Sequence, residues 1–256
     1  MTVDTIREGE WVLLYYDERK SYVVRVERGK VFHTTHGSID LSTLIGLPYG
    51  ATVETNVGEK LVVSRTRFVD RLDGLQRVTQ VIYPKDLGYI LLEAGVGPGS
   101  RVVEAGTGTG FLAATLAWYV RPSGRVYTYE VRKDFYEVAL KNFEVLGVLP
   151  YITPKNKDIR DGIEEDDLDA VVLDMPSPWE VVEEAASKLL NGGALIAFVP
   201  TTSQVERTLH SLKKTGLRML EVTELMMRKY QPKPGELRPQ SLGVTHTGYI
   251  ISSRKL

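Results

Sequence analysis

The stretch Val102-Val103-Glu104-Ala105-Gly106-Thr107-Gly108-Thr109-Gly110-Phe111 constrains the fold more than any other part of the chain. Val102 and Val103 suit a short strand covered on both faces. From Leu112 onward, Ala113, Ala114, Leu116, Ala117 and Val120 supply helix-favouring residues that can face a core. Between strand and helix, three glycines at alternate positions let the backbone turn tightly and come close to a ligand. The turn also carries the free N–H groups of a helix N-terminus, where an anionic group can sit. The spacing narrows the ligand further. A dinucleotide fingerprint is Gly-x-Gly-x-x-Gly, and Phe111 stands where its third glycine would be.

The rest of the chain divides at about residue 75. Residues 1–75 hold short β-like runs, at Trp11–Tyr16, Ser21–Val26, Lys30–Thr34, Thr52–Thr55 and Leu61–Val63, punctuated by turn signals such as Arg28-Gly29-Lys30 and Gly58-Glu59-Lys60. Strands at this spacing predict a small, barrel-like all-β domain that could contact RNA. Residues 76–98 read as a connecting segment whose helix, Leu87–Ala94, starts behind Pro84. Residues 99–256 then alternate strand and helix. Strands are expected at Arg125–Glu130, Tyr151–Thr153, Leu168–Leu173, Ala194–Val199, Arg218–Met226 and Thr247–Ser252. Helices are expected at Lys133–Leu146, at Val181–Leu190 (closed by Asn191-Gly192-Gly193) and at Gln204–Lys214, capped by Ser203. This pattern predicts an α/β fold with a doubly wound, mostly parallel seven-stranded sheet, Rossmann-like in form.

Composition sets boundaries. With no cysteine, disulfides, thiolate metal sites and cysteine nucleophiles are excluded. His33 and His36 have no further ligand cluster nearby, so no metal is expected. No run is long enough to span a bilayer, and Met1–Glu10 lacks a signal-peptide core, so a cytoplasmic protein without membrane contact is expected. A net charge of −1 gives no overall drive toward nucleic acid, so RNA binding must rest on local patches. One such patch is the arginine series Arg65, Arg67, Arg71 and Arg77, which suits phosphate.

In a doubly wound sheet, ligands bind beyond the carboxyl ends of the strands. Those ends carry acids in order. Glu130, twenty residues after Gly110, can accept from a ribose diol; Asp158 can accept from an exocyclic adenine amine; Asp174 follows the strand Leu168–Leu173. Asp174 opens the run Asp174-Met175-Pro176-Ser177-Pro178-Trp179, in which two prolines stiffen the loop and Trp179 offers a face for base stacking.

Gly-x-Gly-x-Gly with Glu104 two residues ahead resembles the first motif of class I S-adenosylmethionine-dependent methyltransferases. Together with Gln80–Asp86, Asp174–Trp179, Arg238-Pro239 and His246-Thr247-Gly248-Tyr249, it resembles the tRNA (adenine-N1)-methyltransferase family over most of the chain. That resemblance implies methylation of N1 of adenosine 58, and in some members 57, in the T-loop of tRNA, by a homotetramer. It implies S-adenosylmethionine contacts at Gln80, Glu104, Gly106, Thr107, Gly108, Thr109, Gly110, Phe111, Leu112, Glu130, Asp158 and Asp174, with Asp174 as the active-site acid. Tyr83, Trp179, His246 and Tyr249 are candidates to line the base pocket. The competing readings are a methyltransferase acting on isoaspartyl protein or a small molecule, and a non-catalytic tRNA-binding subunit.

Overall fold

The fold is given by a computed structural model that describes residues 4–241 and 243–256, in two compact units that meet between Leu75 and Gln76.

The first unit contains strands β1 (Trp11–Asp17), β2 (Lys20–Arg25), β3 (Val31–Thr34), β4 (Gly37–Asp40), β5 (Thr52–Glu54) and β6 (Lys60–Arg65), then helix α1 (Phe68–Asp73). An open antiparallel sheet runs β2-β1-β6-β5, and β3 and β4 form a separate two-stranded ribbon. Period-two alternation turns Val12 and Leu14 of β1 and Leu61 and Val63 of β6 into one core with Ile39, Leu41 and Leu44. Strand β4 has no apolar run to announce it, since only Ile39 is buried. The arginine segment contains α1. Its guanidinium groups are engaged locally: Arg65 pairs with Asp4 and lies over the Tyr49 ring, Arg67 forks onto Asp70 at 2.8 and 3.1 Å, and the Arg71 Nε donates to Thr66 Oγ1 at 2.9 Å.

The second unit contains α2 (Pro84–Glu93), β7 (Arg101–Ala105), α3 (Phe111–Val120), β8 (Arg125–Tyr129), α4 (Lys133–Leu146), β9 (Ile152–Lys155), β10 (Leu168–Leu173), α5 (Val182–Lys188), β11 (Leu189–Val199), α6 (Thr202–Leu212), β12 (Leu217–Thr223), the two-residue strands β13 (Tyr230–Gln231) and β14 (Arg238–Pro239), and β15 (Tyr249–Lys255). Its sheet runs β12-β15-β11-β10-β7-β8-β9, parallel except along both edges of β15. It is the doubly wound α/β sheet that the strand–helix alternation predicts. Val102, Val103, Val171, Val172, Leu195 and Ile196 are all fully buried, because helices cover both faces and neither side of a strand meets water. The chain leaves β7 outward through β8 and β9 and returns to β10 on the other side of β7. The switch point therefore falls between β7 and β10.

Three local expectations are corrected. Helix α5 stops at Lys188, because Leu189 already pairs with Leu168, and Asn191-Gly192-Gly193 lies at a register shift within β11. A Gly pair reads as a helix stop but serves equally as a bulge. The cap of α6 is Thr201, whose side chain accepts from the Gln204 N–H, and not Ser203. Strand β9 includes Pro154, which the edge position tolerates because the missing N–H faces away from β8. Among the described residues, no helix is long and apolar enough to cross a membrane.

Helix α2 is fastened to the end of the sheet by buried charge. The Lys85 ammonium donates to Asp86 Oδ1 (2.7 Å), to the Leu225 carbonyl (2.8 Å) and to Thr247 Oγ1 (2.6 Å), and Thr247 Oγ1 donates to Asp86 Oδ2 (2.8 Å). The Asp86 side chain is wholly buried and that of Lys85 nearly so. Replacing Asp86 by Ala leaves a buried ammonium without its counter-charge. Asp86→Ala is therefore expected to cost about 3–5 kcal/mol in urea unfolding; a loss below about 1 kcal/mol would show that Leu225 and Thr247 suffice to hold Lys85.

Candidate active site

The carboxyl ends of three strands are joined around the glycine loop. The Gly106 N–H donates to the Tyr129 carbonyl of β8 at 3.1 Å, and the Asp174 N–H, just past β10, donates to the Ala105 carbonyl of β7 at 2.8 Å. Gly106 has φ +93°, and a Cβ there would overlap the carbonyl oxygen of Asp174. Only glycine lets the two strand ends close up. The next glycine serves differently. Gly108 offers its N–H to the Glu130 carboxylate at 2.8 Å, while Glu130 also accepts from the Arg132 N–H at 2.9 Å. Gly110 begins α3 and leaves room for the Phe143 ring of α4.

The segment before α2 is clamped onto this loop. Asn142, the one polar residue on the buried face of α4, donates to the Thr109 carbonyl (2.8 Å) and the Gln76 carbonyl (3.0 Å) and accepts from the Gln76 N–H (3.2 Å). Thr79 Oγ1 meets Thr109 Oγ1 at 3.2 Å. Sequence reading passed over Asn142; an asparagine on an otherwise apolar helix face is the signal that could have found it.

Between these elements lies a cavity of about 620 Å³, a size that suits a nucleoside-type ligand. Gly106, Gly108, Glu130, Asp158 and Asp174 all line it. Gln80 lines it too, and a small recess adjoining it reaches Thr107, Thr109, Phe111 and Leu112. The structure thus gathers ten of the sequence-predicted contacts around one cavity. Gly110 and Glu104 are not on the wall: Gly110 is packed beneath the loop and Glu104 is wholly buried behind it. The cavity also includes residues that sequence reading missed, notably Phe198, Pro200, Gln204 and Arg160.

The four candidates for a base pocket fall elsewhere. Trp179 sits in a 3-10 turn, Pro178–Glu180, that carries it round to α6; its carbonyl accepts from Ser211 Oγ at 2.8 Å and the Arg207 guanidinium lies 5.2 Å from its ring. It lines a separate open groove with His210 and Lys214, so the stacking platform expected there is corrected. Tyr83 is the exposed N-cap residue of α2. His246 and Tyr249 stand behind the cavity wall, with ring centroids 5.1 Å apart. His246 Nε2 is 3.0 Å from the Pro200 carbonyl and Nδ1 is 2.6 Å from Glu224. Both ring nitrogens face acceptors, which favours the doubly protonated ring; hydrogen bonding to the Glu224 carboxylate raises its pKa. A Cβ on Gly248 would run into the Phe198 ring. The His246–Tyr249 run therefore shapes the cavity from behind, through Pro200 and Phe198.

The electrostatics are acid-rich. Burial pushes the Glu104 carboxyl up to about 8, against the hydrogen bond from Thr128, and the nearby Asp174 and Glu130 add to the rise. Glu104 Oε1 has no hydrogen-bond partner among the described residues. Burial alone raises Asp174, to about 7. Asp158 is held low, chiefly by the Arg160 guanidinium. Four carboxyl groups around a glycine loop (Glu104, Glu130, Asp158 and Asp174), with Glu104 and Asp174 raised and neither ion-paired among the described residues, fit a ligand that brings positive charge.

The sequence model for the tRNA methyltransferase complex GCD14 subunit matches residues 73–253, and a model for a TrmI-like N-terminal region matches residues 5–53. The chain belongs to this tRNA methyltransferase family. Among family relatives, the tRNA (adenine(57)-N(1)/adenine(58)-N(1))-methyltransferase TrmI of Methanocaldococcus jannaschii is 31% identical, over 94% of each chain. The crystal structure of the tRNA (m1A58) methyltransferase TrmI from Aquifex aeolicus superposes with a TM-score of 0.85 at 29% identity, covering 99% of both chains. An S-adenosylmethionine-dependent O-methyltransferase from Thermotoga maritima superposes with a TM-score of 0.92 at 35% identity, covering 100% of this chain and 96% of the other.

Two outcomes follow from this geometry. Gly106→Ala must push the Asp174 carbonyl away from β7, so isothermal titration is expected to show a loss of S-adenosylhomocysteine affinity of at least about 100-fold, near 2.7 kcal/mol; affinity within threefold of wild type would show that the contact does not shape the cavity. The second concerns pH. Glu104 and Asp174 titrate near 4 when unfolded but near 8 and 7 in the fold. From about pH 5 to 8 the folded chain therefore holds protons that the unfolded chain has released, and stability falls as pH rises. The melting temperature of the cofactor-free protein is expected to drop across that window, and Glu104→Gln to flatten the slope. A wild-type profile that is level from pH 5 to 8 contradicts the assignment.

Proposed function

We propose that this protein transfers a methyl group from S-adenosylmethionine to N1 of an adenosine in the T-loop of tRNA, at position 58, with position 57 as a second acceptor to be tested. The observation that carries the reading is Asp174: a carboxyl group at the switch point of the sheet, on the wall of the cavity beside the glycine loop, raised by burial and without an ion-pair partner among the described residues. Membership of a tRNA methyltransferase family supports the substrate class.

Glu130, already turned toward the loop by the Gly108 and Arg132 N–H groups, would accept from the ribose hydroxyls of the cofactor. Asp158 would accept from its adenine amine. The buried carboxyl of Glu104 backs the loop, and a cationic ligand beside it would favour its ionised form. When bound, S-adenosylmethionine supplies an electrophilic methyl carbon for displacement by the N1 lone pair. Adenine N1 carries no proton at neutral pH, so no strong base is needed to expose it. Asp174 instead accepts a hydrogen bond from the N6 amine of the target base and, as a carboxylate, offsets the positive charge that grows on the ring as N1 is alkylated. Most of the acceleration comes from holding the base in place, a contribution of up to about 7–11 kcal/mol in well-oriented systems. A base inside folded tRNA hides N1, so the nucleotide must swing out into the cavity. Phe198 and Pro200, fixed from behind by Gly248 and His246, are the groups placed to meet it.

We further propose a homotetramer acting in the cytoplasm. Strand β12 is the outer strand of the sheet, and Met219, Leu220 and Val222 on it, with Met226, Met227 and Tyr230 beyond, are exposed. An open strand edge flanked by apolar side chains is the kind of surface that assembly covers.

Asp174→Ala tests the central role. Methyl transfer to an unmodified tRNA transcript is expected to fall by about 100- to 1000-fold, while calorimetric affinity for S-adenosylhomocysteine stays within a few-fold of wild type. Near-normal turnover would remove Asp174 from the mechanism.

A further inference from the structure

Both carboxylate oxygens of Asp158 are engaged by a single neighbour. Its Oδ1 accepts from the Arg160 backbone N–H at 2.9 Å and from the guanidinium Nε at 3.0 Å. Its Oδ2 accepts from Nε at 3.0 Å and from Nη2 at 2.6 Å. Three N–H groups, with Nε–H bridging both oxygens, thus take most of the roughly four lone-pair sites of the carboxylate. Both residues line the cavity. An amine that bonds to Asp158 competes with the Arg160 guanidinium for these two oxygens.

The guanidinium has a second acceptor waiting. Arg160 Nη1 lies 3.3 Å from Glu180 Oε2, which also accepts from Ser177 Oγ at 2.9 Å. Glu180 belongs to the turn Pro178–Glu180 that continues the loop begun by Asp174. Arg160 is therefore shared between the segment after β9 and the segment after β10. Its side chain is 52% exposed, so moving from one carboxylate to the other requires no rearrangement of the core.

We infer that Arg160 is an internal competitor for the nucleobase end of the cavity: it occupies Asp158 until an adenine amine displaces it, and Glu180 then takes the guanidinium. This rests on the reading of the cavity as the S-adenosylmethionine site. It adds a consequence for the substrate side. Cofactor binding shifts Arg160 wholly onto Glu180, whose segment continues from Asp174, so the existing 3.3 Å contact strengthens when the adenine end fills. Arg160 is a positioning residue, acting through Asp158 and Glu180.

The test is calorimetric titration of the full-length protein with S-adenosylhomocysteine. Arg160→Gln removes the competitor and is expected to lower Kd by about two- to fivefold, the range for exposed ion pairs. Glu180→Gln removes the alternative partner, leaves Arg160 on Asp158 and is expected to raise Kd by a similar factor. The double variant should behave as Arg160→Gln alone. A merely structural pair would weaken binding in both single variants. Unchanged or weaker binding by Arg160→Gln overturns the inference, as does a Glu180→Gln protein that binds like wild type. Glu130→Gln separates this from the reading beneath it: if it binds like wild type, the cofactor site itself is misassigned. If it binds weakly while Arg160→Gln fails to tighten binding, only the role of Arg160 falls.

Discussion

The contact between Gly106 and the Asp174 carbonyl is the constraint on which the rest of the site depends. Strands β7 and β10 are neighbours at the switch point, and their ends could splay apart as they leave the sheet. The Asp174 N–H to Ala105 carbonyl bond extends the ladder by one step, and the absence of a Cβ on Gly106 lets the carbonyl of Asp174 close over the turn. The glycine loop and the acid loop are then one rigid object built on buried strands, not two mobile ones. A cavity wall made this way holds Asp174 at a fixed place relative to Gly108 and Glu130, which is what catalysis by positioning requires.

That rigidity has an electrostatic consequence. Closing the strand ends buries Glu104 behind the loop and leaves Asp174 half-buried beside it, and both carboxyl groups resist ionisation as a result. The same burial that strains the cofactor-free protein makes the site selective for a ligand that brings positive charge and for a base on which positive charge develops. Asp158 shows the opposite solution. It lies nearer the surface, keeps a low pKa through Arg160, and has both oxygens engaged by that one residue.

Much of this was readable in the sequence, and for physical reasons. Strands covered on both faces give apolar runs and half-buried helices give a 3.6-residue period, so strand Leu168–Leu173 and helix Lys133–Leu146 were placed to the residue. Acids at strand ends stood out because they follow such runs directly. What escaped were features set by tertiary contact. Asn191-Gly192-Gly193 has the composition of a helix stop, but pairing of Leu189 with Leu168 made it part of β11. Trp179 follows Asp174 so closely that it was expected in the same pocket, yet the turn at Pro178 sends it to α6. The His246–Tyr249 run was distinctive without showing how it acted, since its effect passes through Phe198 and Pro200 some fifty residues earlier. Short strands such as β4, β13 and β14 carry too few buried side chains to leave a pattern.

The most direct measurement is to incubate the purified protein with S-adenosylmethionine and an unmodified tRNA transcript, then map methylated nucleotides by mass spectrometry of nuclease fragments. The account predicts 1-methyladenosine confined to the T-loop. Methylation at another atom or another region of the tRNA, or transfer only to a protein or small-molecule acceptor, would contradict it.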